Sequence, residues 1–379
     1  QRPFGGSFDI RWLGAVHALA LLAALVALVA ALRRFSFPAA AVSASAAAVL
    51  LTDAGYVPFL NSFYSEPASL IFFLLVVATA VIAAAAPHSR RALAAFAVAG
   101  CCFLLAKPQN VVTGPLLAAW VMAGPARQPA SRRTTIVAAT ALLAASVAGV
   151  VAQPSYIRDW TRQVAVFHAI LGESPDPASD LSALDLDPAL VSQAGRHPWS
   201  EGALSWRDPG HRRVFFDRIT FGAIARFYLL RPARLWEVLD RSAAEALRPR
   251  LRLGHFERGA AHSRKPPAAA SRLKELVFPA SAGGIAVLLA AAGAAAAMMW
   301  RHSHPPGRAV ALLVIALLIA AAAQFLLVAI TQGTIDTIKH MFLFRLLTDT
   351  ALVALLAAAV AGAIAVRRSP REKQTSVPE

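Results

Sequence analysis

Three short polar stretches interrupt long apolar runs: "NSFYSEP" from Asn61, "AKPQN" ending at Asn110, and "IDTIKHMFLFRLLTD" from Ile335 to Asp349. The first gathers an amide (Asn61), hydroxyls (Ser62, Ser65), a phenol (Tyr64) and a carboxylate (Glu66) into six residues, with Asp53 about one helical turn before Tyr56. The second supplies Lys107, Gln109 and Asn110. In the third, Asp336 precedes Lys339 and His340 by three and four positions, so all three can share one helical face, and Arg345 precedes Asp349 by four within an apolar run. Cations of this kind hold phosphate, and amides and hydroxyls read sugar hydroxyls. A carboxylate, Glu66 or Asp53, could deprotonate an acceptor hydroxyl while phosphate leaves an anomeric carbon. Each residue also has a structural reading. Glu66 directly before Pro67 complements a helix dipole, Lys107 can snorkel, and Arg345–Asp349 can be a structural ion pair. Charges inside a span nevertheless default to a functional hypothesis.

The elements that would position these residues are membrane helices. The chain has 379 residues, of which 57% are hydrophobic and 15% charged, and its mean hydropathy is +0.56, which excludes an ordinary soluble domain. Apolar runs near the 20 residues a span needs cover Trp12–Leu32, Pro38–Tyr56, Pro67–Ala86, Ala92–Ala106, Val111–Gly124, Thr134–Ala152, Pro279–Trp300, Ala309–Ile330 and Phe342–Val366. The fourth and fifth are short, and either a tight hairpin or a partly re-entrant pair fits them. The expectation is an all-α integral membrane protein of about nine transmembrane helices, with one more missing upstream of a chain that starts at Gln1. Residues 1–152 form an N-terminal bundle, 153–278 a mainly helical insert, 279–366 a C-terminal bundle and 367–379 a basic tail.

The net charge of +16 does not point to nucleic acid. The Arg cluster beside apolar runs, as at Arg33-Arg34, Arg90-Arg91, Arg132-Arg133 and Arg367-Arg368, which is the pattern of cytoplasmic turns. Placing those turns inside puts all three polar stretches and the insert on the extracytoplasmic face. In the insert, Asp176 and Asp180 suit helix capping, and Trp160 and Trp236 suit an interfacial belt. Phe221, Ile224, Ala225, Tyr228 and Leu229 recur at helical spacing, as do Leu235, Trp236 and Leu239 after Pro232. Residues Leu251–Leu273 read as extended or mobile. Cys101 and Cys102 read as apolar fillers. No metal-ligand cluster is evident. Asp53 and Glu66 would be only part of one, so no cofactor is assigned and a divalent metal stays open.

At these residues the chain resembles the multi-span glycosyltransferases of the GT-C superfamily, within it the bacterial glycan-biosynthesis hexose transferases (WsfD-like). The likeness rests on the three stretches above and on "VFHAILGESPDPASDLSALDLDP" and "FYLLRPARLWEVL" in the insert. The resemblance implies a GT-C-like fold in a bacterial cytoplasmic membrane. It implies transfer of a hexose, with inversion, from a polyprenyl-phosphate donor to an envelope glycan or lipid acceptor. Lys107, Lys339, His340 and Arg345 would be donor-phosphate contacts, and Asn61, Tyr64, Gln109 and Asn110 sugar or acceptor contacts. The superfamily's catalytic acidic residue commonly sits in the first outer loop. Here that loop is represented at most by "QRPFGGSFD", which leaves Glu66 as the substitute. The alternatives are a transporter or flippase of lipid-linked sugars, or a non-catalytic envelope-assembly protein. Polar residues confined to one side favour surface chemistry over passage.

Overall fold

A computed structural model describes residues 9–53, 55–123, 132–247 and 269–368. The opening "QRPFGGSF", most of the turn "PARQPASRR", residues 251–268 of the stretch expected to be extended, and tail residues 369–379 lie outside the described residues. All regular secondary structure among the described residues is helical, with no strand among them.

The N-terminal bundle holds α1 (Ile10–Arg33), α2 (Phe37–Leu51), α3 (Val57–Leu60), α4 (Glu66–Ala85), α5 (Arg90–Ala106), α6 (Gly114–Ala123) and α7 (Arg132–Val151). The insert holds α8 (Ser155–Val164), α9 (Pro177–Ala183), the single turn α10 (Pro209–His211), α11 (Phe221–Leu230), α12 (Pro232–Leu247) and α13 (Ala269–Val277). The C-terminal bundle holds α14 (Ala282–His302), α15 (Pro305–Gln332), the turn α16 (Thr337–His340) and α17 (Phe342–Arg368). Six of these, α1, α4, α7, α14, α15 and α17, are long and apolar enough to cross a membrane. The remaining predicted spans fall on α2, α5 and α6.

Local chemistry sets these limits. Ser36, Ser89 and Ser281 cap the starts of α2, α5 and α14 by accepting from backbone N–H groups. The span predicted to reach Tyr56 stops at Leu51 instead. Asp53 Oδ1 accepts the Gly55 N–H at 2.9 Å, and this local turn competes with further helix. After α5, Pro108–Thr113 forms a 3₁₀ turn that runs straight into α6. Together the two pieces rise about 27 Å, and Trp120 Nε1 at their far end donates to Ala309 O at 2.8 Å near the start of α15. The segment therefore crosses the bundle as one arm of a hairpin and is not re-entrant. Close approach of α6 and α7 depends on Gly114, where an added Cβ would lie 1.7 Å from Ser146 Oγ.

One apolar core runs through the bundle and includes Phe59, Phe73, Phe96, Phe103, Trp120, Phe325 and Phe344. The insert has its own, around Phe167, Leu181, Phe215, Phe216, Ile224, Phe227 and Tyr228, with Ile330 of α15 packed against it. The buried face of α11 is thus Ile224, Phe227 and Tyr228, while Phe221 and Leu229 are exposed. On α12 the buried face is Val238, Ser242, Ala243 and Ala246. Both faces are rotated from the expected ones: α11 turns Ile224, Phe227 and Tyr228 into the insert core, while α12 gives Val238 to that core and Ala243 and Ala246 to the bundle. Asp176 caps α9 by accepting from Ser179 N–H, but Asp180 pairs with Arg234 at 3.1 Å. Trp160 packs edge-on against Tyr156, Trp199 and Trp206, with centroids 4.4 to 4.9 Å away, while Trp236 is exposed. Cys101 and Cys102 are free thiols.

Candidate functional site

Glu66, the first residue of α4, is fully enclosed. Its Oε1 receives Lys107 Nζ at 2.6 Å, and its Oε2 is buried without a hydrogen-bond partner. Lys107 follows the last residue of α5 in extended conformation, so its ammonium leaves the helix sideways and also donates to Lys339 O at 3.3 Å. That contact brings the third stretch onto the first two. Burial pulls the Lys107 pKa down, and the Glu66 carboxylate opposes the shift. Beside it, Gln109 Nε2 donates to His340 Nδ1 at 3.0 Å, which requires that nitrogen to be unprotonated. Burial pushes His340 down to about 3, helped by the charges of Lys107 and Lys339. Lys339 Nζ stands over the Tyr64 ring at 4.6 Å and has no carboxylate partner among the described residues. Glu66 thus both starts a helix and forms half of a buried pair.

A second polar group adjoins the first. Arg345, one turn into α17, is buried and donates to Ile338 O, while its Nε and one terminal nitrogen have no partner. The Arg345–Asp349 ion pair, the structural alternative that their spacing allowed, is not formed. Asp349 is instead held by Lys274 at 2.5 Å and by the Tyr56 hydroxyl at 2.8 Å. Lys274 lies on α13, part of which had read as extended. Ser271 of the same helix donates from N and Oγ to Asp53, at 3.1 and 2.6 Å. Two carboxylates on the bundle therefore fix the polar face of α13, while Leu273 and Leu276 point outward and are exposed. Asp53 is fully engaged in this anchoring and belongs to a different group from Glu66.

The remaining predicted residues are placed as follows. Asn110 is buried but structural, donating to Ser69 Oγ and Phe103 O at 3.0 and 2.7 Å. Ser62 makes a local bond to Phe59 O at 2.6 Å. Asn61 is exposed near Gly14 of α1. Asp336 is exposed in the left-handed region, φ +43°; α16 begins only after it, so it shares no helical face with Lys339. Among the described residues no three His, Cys, Asp or Glu side chains gather as a metal-ligand set.

From Tyr56 and Asp349 an apolar groove of about 220 Å³ runs between α2, α4, α15 and α17. It ends at Phe35, Ser36 and Gly307, in the turns at the opposite end of the bundle. Sequence reading missed Ser271 and Lys274, whose roles come from partners more than 70 positions away. It also missed Gln324, buried mid-span in α15 with neither amide atom partnered. Its polarity within "AAAAQFLLV" was the available signal.

The family model of the YfdI N-terminal transmembrane domain matches residues 3–376. The chain belongs to this family. Comparison with curated proteins and with solved structures gives no match. The match spans both bundles and the insert together, and the chain is a polytopic membrane protein.

Proposed function

We propose that this chain is a GT-C-type membrane glycosyltransferase. It moves a hexose from a polyprenyl-phosphate donor to an envelope glycan or lipid acceptor on the extracytoplasmic face of a bacterial cytoplasmic membrane. The observation that carries the reading is the convergence of three separate turns on the enclosed Glu66–Lys107 pair, with Lys339 and Arg345 beside it. An apolar groove begins at Tyr56 and Asp349, about one turn further along α17 than Arg345. In this reading the donor tail lies in the groove and its phosphate meets Arg345, Lys339 and Lys107. As Lys107 moves onto phosphate, the Glu66 carboxylate is freed. It takes the proton of the acceptor hydroxyl, whose oxygen bonds the anomeric carbon as the carbon–oxygen bond to phosphate breaks. Phosphate leaves with the electron pair, held by the cations. Asp53 positions α13 and does not take part.

The test is turnover of radiolabelled polyprenyl-phosphate hexose by membranes carrying the full chain. Glu66→Gln should lower turnover by about 10²–10⁴-fold. Lys339→Ala, at a partly exposed site, should raise the donor KM. Undiminished transfer in both variants refutes the assignment. Because the groove reaches from one end of the bundle to the other, a flippase remains the second reading. Movement of sugar-lipid across vesicles without transfer would select it.

A further inference from the structure

Between the insert and the outer turn of α15 lies a second cavity, of about 240 Å³, lined by His168, Glu173, Gly195, Val238, Arg241 and Thr334 among others. It shares no lining residue with the apolar groove, and Thr334 in its wall precedes Lys339 by five positions in the chain. Ligand cavities for drug-sized molecules run roughly 300–1,000 Å³, so this one suits a single ring. Its polar groups are mixed in kind. Arg241 Nε meets Glu173 Oε2 at 3.3 Å across the rim, and His168 Nε2 lies 3.4 Å from Thr334 Oγ1. Glycines replace side chains on the walls. An added Cβ at Gly333, φ +58°, would stand 3.1 Å from Ala169 Cα, whereas at Gly195, φ +72°, it would point into open space.

We propose that this cavity seats one neutral sugar ring of the acceptor glycan, with hydroxyls shared between Glu173, Arg241 and His168. The inference rests on the glycosyl-transfer reading for the word acceptor, but not for the sugar. A carboxylate at the rim balances the guanidinium and repels an anion, which favours a polyol over a phosphate. Sugar hydroxyls both donate and accept, and this lining offers both. Thr334 of the wall and Lys339 belong to one short segment, five positions apart, which ties this seat to the donor side of the proposed reaction.

The experiment is saturation-transfer NMR on the full chain in detergent, with the methyl α-glycosides of glucose, galactose, mannose and rhamnose as probes. At least one glycoside should receive saturation. Glu173→Gln, at an exposed position, and Gly195→Asn, which tolerates a left-handed backbone and fills the opening, should each weaken it about tenfold or more. Lys339→Ala should leave it unchanged. Absence of signal with all four, persistence in both variants, or displacement by inorganic phosphate overturns the proposal. Sugar binding without any hexose transfer sinks the enzymatic reading alone. Transfer with no effect of Glu173→Gln sinks the cavity alone.

Discussion

Replacing the Glu66–Lys107 pair separates the cost of a buried charge from the value of the pair. The two charged atoms lie 2.6 Å apart, with side chains 0% and 8% exposed. At an effective dielectric constant near 20 their attraction is of order 6 kcal/mol, most of it offset by the desolvation of both groups. Removing one partner leaves the other charge enclosed. Lys107→Met strands a carboxylate whose second oxygen already lacks a partner. Glu66→Leu leaves an ammonium with only the Lys339 carbonyl. Each single variant should lose about 3–5 kcal/mol, and the double apolar replacement should return to within about 1–2 kcal/mol of the parent. Thermal unfolding of the full chain in detergent, followed by tryptophan fluorescence, should show single-variant midpoints lower by on the order of 5–15 °C. The stable double variant should be inactive in the transfer assay. Additivity within about 0.5 kcal/mol would refute the pair as a coupled unit.

His340 offers a pH test. Its folded pKa, near 3, lies below the ordinary 6.5, so the unfolded chain binds a proton first as pH falls. Its contribution is therefore intact above 6.5 and is lost between 6.5 and 3, by up to about 1.4 kcal/mol per pH unit. His340→Gln should flatten the unfolding midpoint against pH in that window, and an unchanged slope would contradict the burial. Gly114→Ala should destabilise by about 1–3 kcal/mol through overpacking, since its Cβ would overlap Ser146. Ser146→Gly in the same chain should restore part of the midpoint. Gln324→Leu removes a buried amide with no partner, and should raise the unfolding midpoint by the equivalent of about 1–3 kcal/mol.

Much of the architecture was legible because membrane burial acts on single residues. A run such as Pro305–Gln332 must span or be buried whatever surrounds it, and every predicted span falls on a helix. The three polar stretches were legible for the same reason, since Glu66, Lys107 and Arg345 have no place in hydrocarbon without partners. Partner choice was not legible. Spacing allowed Arg345 to pair with Asp349, but the structure gives Asp349 to Lys274 and Tyr56, because α13 returns over the start of α17. Asp53 and Glu66 looked alike in sequence and separate in space, one holding α13 and the other enclosed with Lys107.

The chain's own composition thus determined that it is helical, where it crosses a membrane, and which residues must be accounted for at the insert end. Those properties follow from transfer energies and periodicity, which are local. Which carboxylate faces which cation, where the apolar groove ends, and what the insert roofs were decided only by tertiary packing. Such contacts join residues 41 to 293 positions apart, and no local rule sets the angle at which their helices meet.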